Sequence, residues 1–487
     1  MAFNLTYSPD FSPKINAFPY QLEAFQSIRD KAYSAVFHEQ GLGKTKIAID
    51  LALYWLSKDV VDTIFIVTKK ALVKNWCDEL KMHTHISYRI LSDNKKANGA
   101  ALNSPILIYV LNYEVCLRDF NIMELFLKTC RVGIILDESQ KIKNPEAKLT
   151  QAFLSLSDGF VRKVIMTGTP VANRPHDIWS QIKFLDGGNS LGNDFEEFKT
   201  RVNLPSGVFT DEYEDNLSQV QSRLRDFSIR ETKATAEIEL PEKKIISRTV
   251  ELSREQRIIY EKYRSNLTYQ VQTEFGEKRD DVDNILKLML RLVQCASNPA
   301  IFDDTYRDTP SKFTTLEIIL NEEIPNGEKA IIWTSFIKNT EWLDKNLKYF
   351  YPAKIHGDMK IDDRNTEIDR FKYHDSCRIL IATPGAAKEG LTLTVANHAI
   401  FYDRSFSLDD YLQAQDRIHR ISQNKECHVY NLIGKETIDE WVNQLLYAKF
   451  RAAQLVQGDL AVGQATEGFA VDLSEMLEAV LRPQHIG

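Results

Sequence analysis

Residues 34–56 read Ser34-Ala35-Val36-Phe37-His38-Glu39-Gln40-Gly41-Leu42-Gly43-Lys44-Thr45, followed by KIAIDLALYWL. A short apolar run, a glycine-bearing turn, a Lys-Thr pair and a helical repeat predict a strand, a loop and a helix. That order makes a phosphate cradle. Gly41 and Gly43 let backbone N–H groups approach the phosphates, Lys44 neutralises the terminal ones, and Thr45 ligates Mg²⁺. His38 stands where the usual Walker pattern has its first glycine.

A phosphate loop of this kind needs a metal-holding acid at the end of a neighbouring strand. VGIILDESQ (132–140) supplies one: Asp137 to hold Mg²⁺ through water, and Glu138 to orient and deprotonate the attacking water. Further strand-sized runs stand at VDTIFIVT (61–68), SPILIYVL (104–111) and RKVIMTGT (162–169). The pattern returns at EKAIIWTSF (328–336), YPAKIHG (351–357), CRILIATP (377–384), HAIFYDRS (398–405) and ECHVYNLI (426–433). Strands alternating with helical patterns predict parallel sheets covered on both faces, here in two α/β lobes. The reading places lobe 1 at 1–184, helical insertions and a connector at 185–310, lobe 2 at 311–450, and a linker with a C-terminal helix at 451–487. In that tail Asp472 is positioned to cap VDLSEMLEAVL, a packing or protein-partner element.

Composition narrows the class. The 487 residues, 43% hydrophobic and 26% charged, fit a globular chain of more than one domain, and no apolar run approaches a membrane span. The start lacks the pattern of a secretory signal, so a cytoplasmic protein is expected, in a bacterium or a phage-infected host. The six cysteines are scattered with no metal-ligand spacing, so no zinc site is expected. A net charge of −7 argues against a uniformly basic surface and leaves room for a local basic groove.

Toward the end, QAQDRIHRISQ (413–423) sets Arg417 and Arg420 three apart, on one face of a helix or tight turn. Paired arginines suit the charge that develops on a transferring phosphoryl group. Trp76 and Trp179 sit in helical patterns among apolar neighbours and read as core.

Together these motifs resemble the superfamily 2 helicases, and within them the Snf2 branch. FPYQLEAF (18–25) resembles the glutamine motif, and EQGLGKT (39–45) the Snf2 form of the phosphate loop. FIVTKKALVKNWCDEL (65–80) resembles motif Ia with Lys69 in place of the usual proline, and DESQKIKN (137–144) the DEAH-type box with Gln140 in place of histidine. TGTPVANRPHDIWSQIKFL (167–185) is similar to motif III. LRDFSIRETK (224–233), LSREQRIIYEKY (252–263), MLRLVQCASNP (289–299) and IHGDM (355–359) follow in family order. IATPGAAKEGLTLTVANHAIFYD (381–403) resembles motif V.

The resemblance spans about residues 15–450 and implies two RecA-like lobes, ATP with Mg²⁺, and DNA, duplex or branched, as partner. It implies that Gln21 recognises adenine and that Gly390 approaches the nucleotide. Lys69, Lys70, Ser335, His356, Gly357 and Thr383 would contact nucleic-acid phosphates, with Lys388 adding positive charge, while Thr167 and Thr169 couple the two functions. The expected activity is an ATP-dependent translocase remodelling forks or junctions, of the compact phage or bacterial kind. A motor subunit of a restriction or defence complex is the alternative; an RNA helicase and a catalytically silent scaffold fit the motifs less well.

Overall fold

The computed structural model describes residues 8–104, 106–171, 173–203, 211–236, 240–274, 282–387, 391–420 and 422–460. Lys388, Gly390 and the expected helix at 471–481 lie outside the described residues. The described residues divide into two units: the first comprises 8–203 joined by 211–236 and 451–460, and the second is built on 240–450.

The first unit holds β1 (Tyr33–Val36), β2 (Thr63–Thr68), β3 (Tyr88–Ile90), β4 (Ile108–Asn112), β5 (Val132–Asp137), β6 (Phe160–Met166) and β7 (Ser228–Ile229). Among the described residues they form a seven-stranded sheet in the order β3-β4-β2-β5-β6-β1-β7, each pairing parallel. β2 and β4 are buried at every position, as strands covered by helices on both faces require. One apolar core joins β1, β2 and β4 to the helices Pro19–Ile28, Lys44–Ser57 and Val73–His83.

The second unit holds β8 (Lys243–Val250), β9 (Ala330–Trp333), β10 (Ala353–Ile355), β11 (Ile379–Ala382), β12 (His398–Phe401) and β13 (Cys427–Gly434). Among the described residues they form a six-stranded parallel sheet in the order β10-β11-β9-β12-β13-β8. Alternate residues of β9 feed two different cores, Ile331 and Trp333 one, Ala330 and Ile332 the other. A pleated strand buried on both faces does this.

The stretch 185–310 departs from its expected role as helical insertion. It does carry the helices Phe195–Val202, Asp211–Leu224, Arg254–Glu274 and Val282–Ser297. It also supplies β7 to the first sheet and β8 to the second, where β8 pairs with β13 from Lys243↔Cys427 to Val250↔Gly434. β8 escaped the sequence reading because KKIISRTV is an edge strand, largely half-buried or exposed, without the apolar run that marks a central one. No helix among the described residues is long and apolar enough to cross a membrane.

Candidate functional site

Register fixes the site. Val36 and Asp137 both pair with Met166, and Val67 pairs with Leu136, so the loops after β1, β2, β5 and β6 leave the sheet at one edge. Binding sites of open parallel sheets form outside the carboxyl ends of the strands. Gly41 (φ 89°) and Gly43 (φ 67°) take left-handed conformations, and Gly43 caps the helix Lys44–Ser57. A Cβ on Gly43 would come within 2.4 Å of Gln21 Nε2. Gln21 is buried against this loop: its Nε2 donates to Leu42 O at 3.1 Å and its Oε1 accepts from Phe18 N at 3.0 Å. The residue expected at adenine is thus tied to the phosphate loop. Lys44 Nζ donates to His38 O at 2.9 Å. Burial, then the positive charges of Lys44 and Arg230, push the His38 imidazole down to about 3, so it is neutral at physiological pH.

The two acids follow. Asp137 Oδ2 accepts from the Trp76 indole at 2.8 Å and from the Thr68 hydroxyl at 3.0 Å, while Tyr113 donates its hydroxyl to Asp137 O at 2.8 Å. Burial, and next the neighbouring Glu138 charge, hold the Asp137 carboxyl above the usual carboxylate range. Glu138 adopts φ 55°, a left-handed conformation that a non-glycine residue takes at a cost of about 1–3 kcal/mol. Its Oε2 accepts from Gln140 Nε2 and lies 3.4 Å from Lys69 Nζ. Lys69, expected on a nucleic-acid phosphate, therefore sits beside the water-activating candidate. Lys70 pairs with Asp93 at 2.8 Å on the exposed surface.

Thr167 and Thr169 are buried at the end of β6. Thr167 N donates to Val36 O at 3.2 Å and Thr169 N to Thr167 Oγ1 at 3.0 Å. A Cβ on Gly168 between them would lie 2.6 Å from Gln40 Cγ, so this turn abuts the phosphate loop.

In the second unit the same logic recurs. Ala382 pairs with both Ile355 and Trp333, and Trp333 with Phe401, so Ser335, His356, Gly357 and Thr383 follow strand ends on one edge. Asp403, after β12, accepts from Ser335 N at 2.6 Å, Thr334 Oγ1 at 2.6 Å and Ser297 Oγ at 2.9 Å. His356 Nε2 lies 3.2 Å from Glu341 Oε1, and Gly357 is exposed. Arg417 and Arg420 lie in the turn after the helix Leu408–Gln415, beside the segment Leu391–Thr392. Arg417 is buried and donates to Leu391 O at 3.2 Å. Arg420, half-buried, donates to Asp416 O at 2.8 Å and to Thr392 Oγ1 at 3.1 Å.

Residues 29–301 match the SNF2-related domain and residues 311–422 the helicase conserved C-terminal domain. The chain belongs to the SNF2-related family. Similar family members include the ISWI chromatin-remodeling complex ATPase ISW1 of Saccharomyces cerevisiae, 25% identical over 90% of this chain and 40% of the relative. An uncharacterized ATP-dependent helicase of Mycoplasma genitalium is 28% identical over 88% of this chain and 41% of its own length. The solved SWI2/SNF2 ATPase core of Sulfolobus solfataricus in complex with dsDNA is 25% identical, covering 99% of this chain and 100% of that one, with a TM-score of 0.43. This SNF2-related chain spans less than half the length of the two curated relatives.

Three residues of this SNF2-related chain carry roles the sequence reading did not assign. Trp76 reads as core and is 1% exposed, yet its N–H holds Asp137. Gln181 accepts from Ser139 Oγ at 2.7 Å and donates to Pro170 O at 3.0 Å, tying the acid box to the Thr167–Thr169 turn. Asp403 gathers Ser297, Thr334 and Ser335. The family order of the motifs could have suggested such pairings, but partner choice is set by strand register, which one chain does not print.

Proposed function

We propose that the chain is an ATP-driven motor that tracks along duplex or branched DNA, as a translocase that remodels forks or junctions rather than a processive strand separator. The observation that carries the reading is the meeting, at one sheet edge, of the Gly41–Thr45 loop with Asp137, Glu138 and the Thr167–Thr169 turn. Membership of a family with members named as ATP-dependent helicase and chromatin-remodeling ATPase supports the same reading.

The residues fit ATP with Mg²⁺. Both hydrogen bonds to the Asp137 side chain fall on Oδ2, so Oδ1 is the oxygen available to a cation or its water. A cation there would also relieve the burial and the Glu138 repulsion that oppose ionisation of Asp137. Mg²⁺, when bound, screens the phosphate charge. Lys44 and the loop N–H groups bind the phosphates, Thr45 and Asp137 hold the ion's position, and Glu138 takes the proton of the attacking water. Arg417 and Arg420, in the turn after the helix Leu408–Gln415, are the cations for the developing γ-phosphate charge.

ATP hydrolysis compared at fixed salt without nucleic acid and with single-stranded DNA, linear duplex, a four-way junction and RNA tests the proposal. Stimulation by duplex or junction DNA is the expected result, and a junction preference assigns branch migration. Stimulation by RNA alone, or by none of them, overturns it.

A further inference from the structure

Lys69 occupies the loop between β2 and the helix Val73–His83, where the resemblance expects a proline and places phosphate contacts. Its ammonium lies 3.4 Å from Glu138 Oε2, the oxygen that also accepts from Gln140 Nε2. Both side chains are about four-fifths buried, at 23% and 21% exposure, so the pair is only partly screened by water. Glu138 is at the same time held in a left-handed backbone conformation. Two donors therefore converge on one oxygen of the carboxylate that has to accept a proton from water. A carboxylate held on one oxygen by a cation and an amide is less free to turn toward a water.

Resting on the motor reading above, we propose that Lys69 is a positioning residue that restrains Glu138 until a nucleic-acid phosphate takes the ammonium away. The exchange is chemically even: Lys69 leaves one anion for another, more highly charged strand of anions, and Glu138 keeps Gln140 as its orienting partner. The neighbouring Lys70 makes the same trade possible at the surface, where its partner Asp93 is well exposed. Nucleic acid at this loop thereby becomes a condition for water activation. A proline at position 69 would bring no such restraint, so the device belongs to this chain's own sequence.

The test measures kcat and the KM for ATP of the full chain, with and without saturating duplex DNA, in wild type, Lys69→Ala, Lys69→Arg and Glu138→Gln. Lys69→Ala should raise the DNA-free kcat about fivefold at unchanged KM, and shrink the DNA stimulation ratio by a similar factor, the scale of a partly screened ion pair. Lys69→Arg, which keeps the cation, should retain the low DNA-free rate. A DNA-free rate in Lys69→Ala equal to or below wild type overturns the restraint while leaving the motor reading intact. A wild type whose ATP hydrolysis is not stimulated by nucleic acid overturns the motor reading and this proposal together. A Glu138→Gln variant as active as wild type, beside a stimulated wild type, overturns the role of Glu138 and with it the restraint, but not the motor.

Discussion

Glu138 and His38 show how single side chains at the phosphate loop are tuned by what surrounds them. Glu138→Gln preserves shape and the hydrogen-bond acceptor but removes the base, so ATP binding should persist while kcat falls about a hundredfold or more, the usual weight of a general base. A single-turnover assay beside a nucleotide-binding titration checks this, and near-normal turnover would strip Glu138 of the role. His38 makes a prediction in pH. Its folded value is about 3 against an ordinary 6.5, so the unfolded chain binds the extra proton more readily than the folded one. Stability is therefore complete above about pH 6.5 and is lost progressively as pH falls from there toward 3, by up to a few kcal/mol. Thermal melts of wild type and His38→Asn from pH 7 to 4.5 should diverge, the wild type losing more on acidification; parallel losses would show that His38 does not carry the effect.

At the scale of elements, the helix Val73–His83 braces the end of β5 by reaching Asp137 through Trp76. Trp76→Phe keeps most of the buried ring and deletes only the N–H, so the fold should survive. The Mg²⁺-dependent part of ATP affinity should weaken about tenfold, the value of one hydrogen bond to a charged group. Titrating nucleotide with and without Mg²⁺ separates that loss from any change in nucleotide binding itself. In the turn after Leu408–Gln415, Arg417→Ala should lower kcat and also the melting temperature, because it strips a buried contact to Leu391 O, whereas Arg420→Ala should lower kcat with little effect on melting. The reverse pattern would exchange their roles. How much of this was legible follows from the kind of signal each element leaves. Central strands such as β2 and β5 announce themselves as unbroken apolar runs, and Lys44, Thr45, Asp137 and Glu138 by their place at strand ends. β3, β7 and β8 do not, because short or edge strands carry half-exposed residues. Trp76, Gln181 and Asp403 were hidden for another reason: a buried donor or acceptor looks like core until register brings its partner alongside.

For the whole molecule, the net charge of −7 means that the proposed affinity for DNA has to come from local groups and not from a general field. The contact candidates differ in kind. Lys70, in the first unit, carries a charge, whereas Ser335, Gly357 and Thr383, in the second, offer only hydroxyl or backbone groups. Charge neutralisation and neutral hydrogen bonding leave different marks on salt dependence, because only the former releases counterions. Lys70→Ala should weaken duplex binding and flatten the slope of log affinity against log salt by about 0.9, one phosphate contact's share. Thr383→Ala should weaken binding by a similar amount with the slope unchanged. Both losses should be uniform across unrelated duplex sequences, since phosphate contacts carry no base information. Titrations of the three proteins at several salt concentrations, on two unrelated sequences, measure all of this at once. A Lys70→Ala slope equal to wild type would remove Lys70 from the phosphate track and leave it as the partner of Asp93 alone.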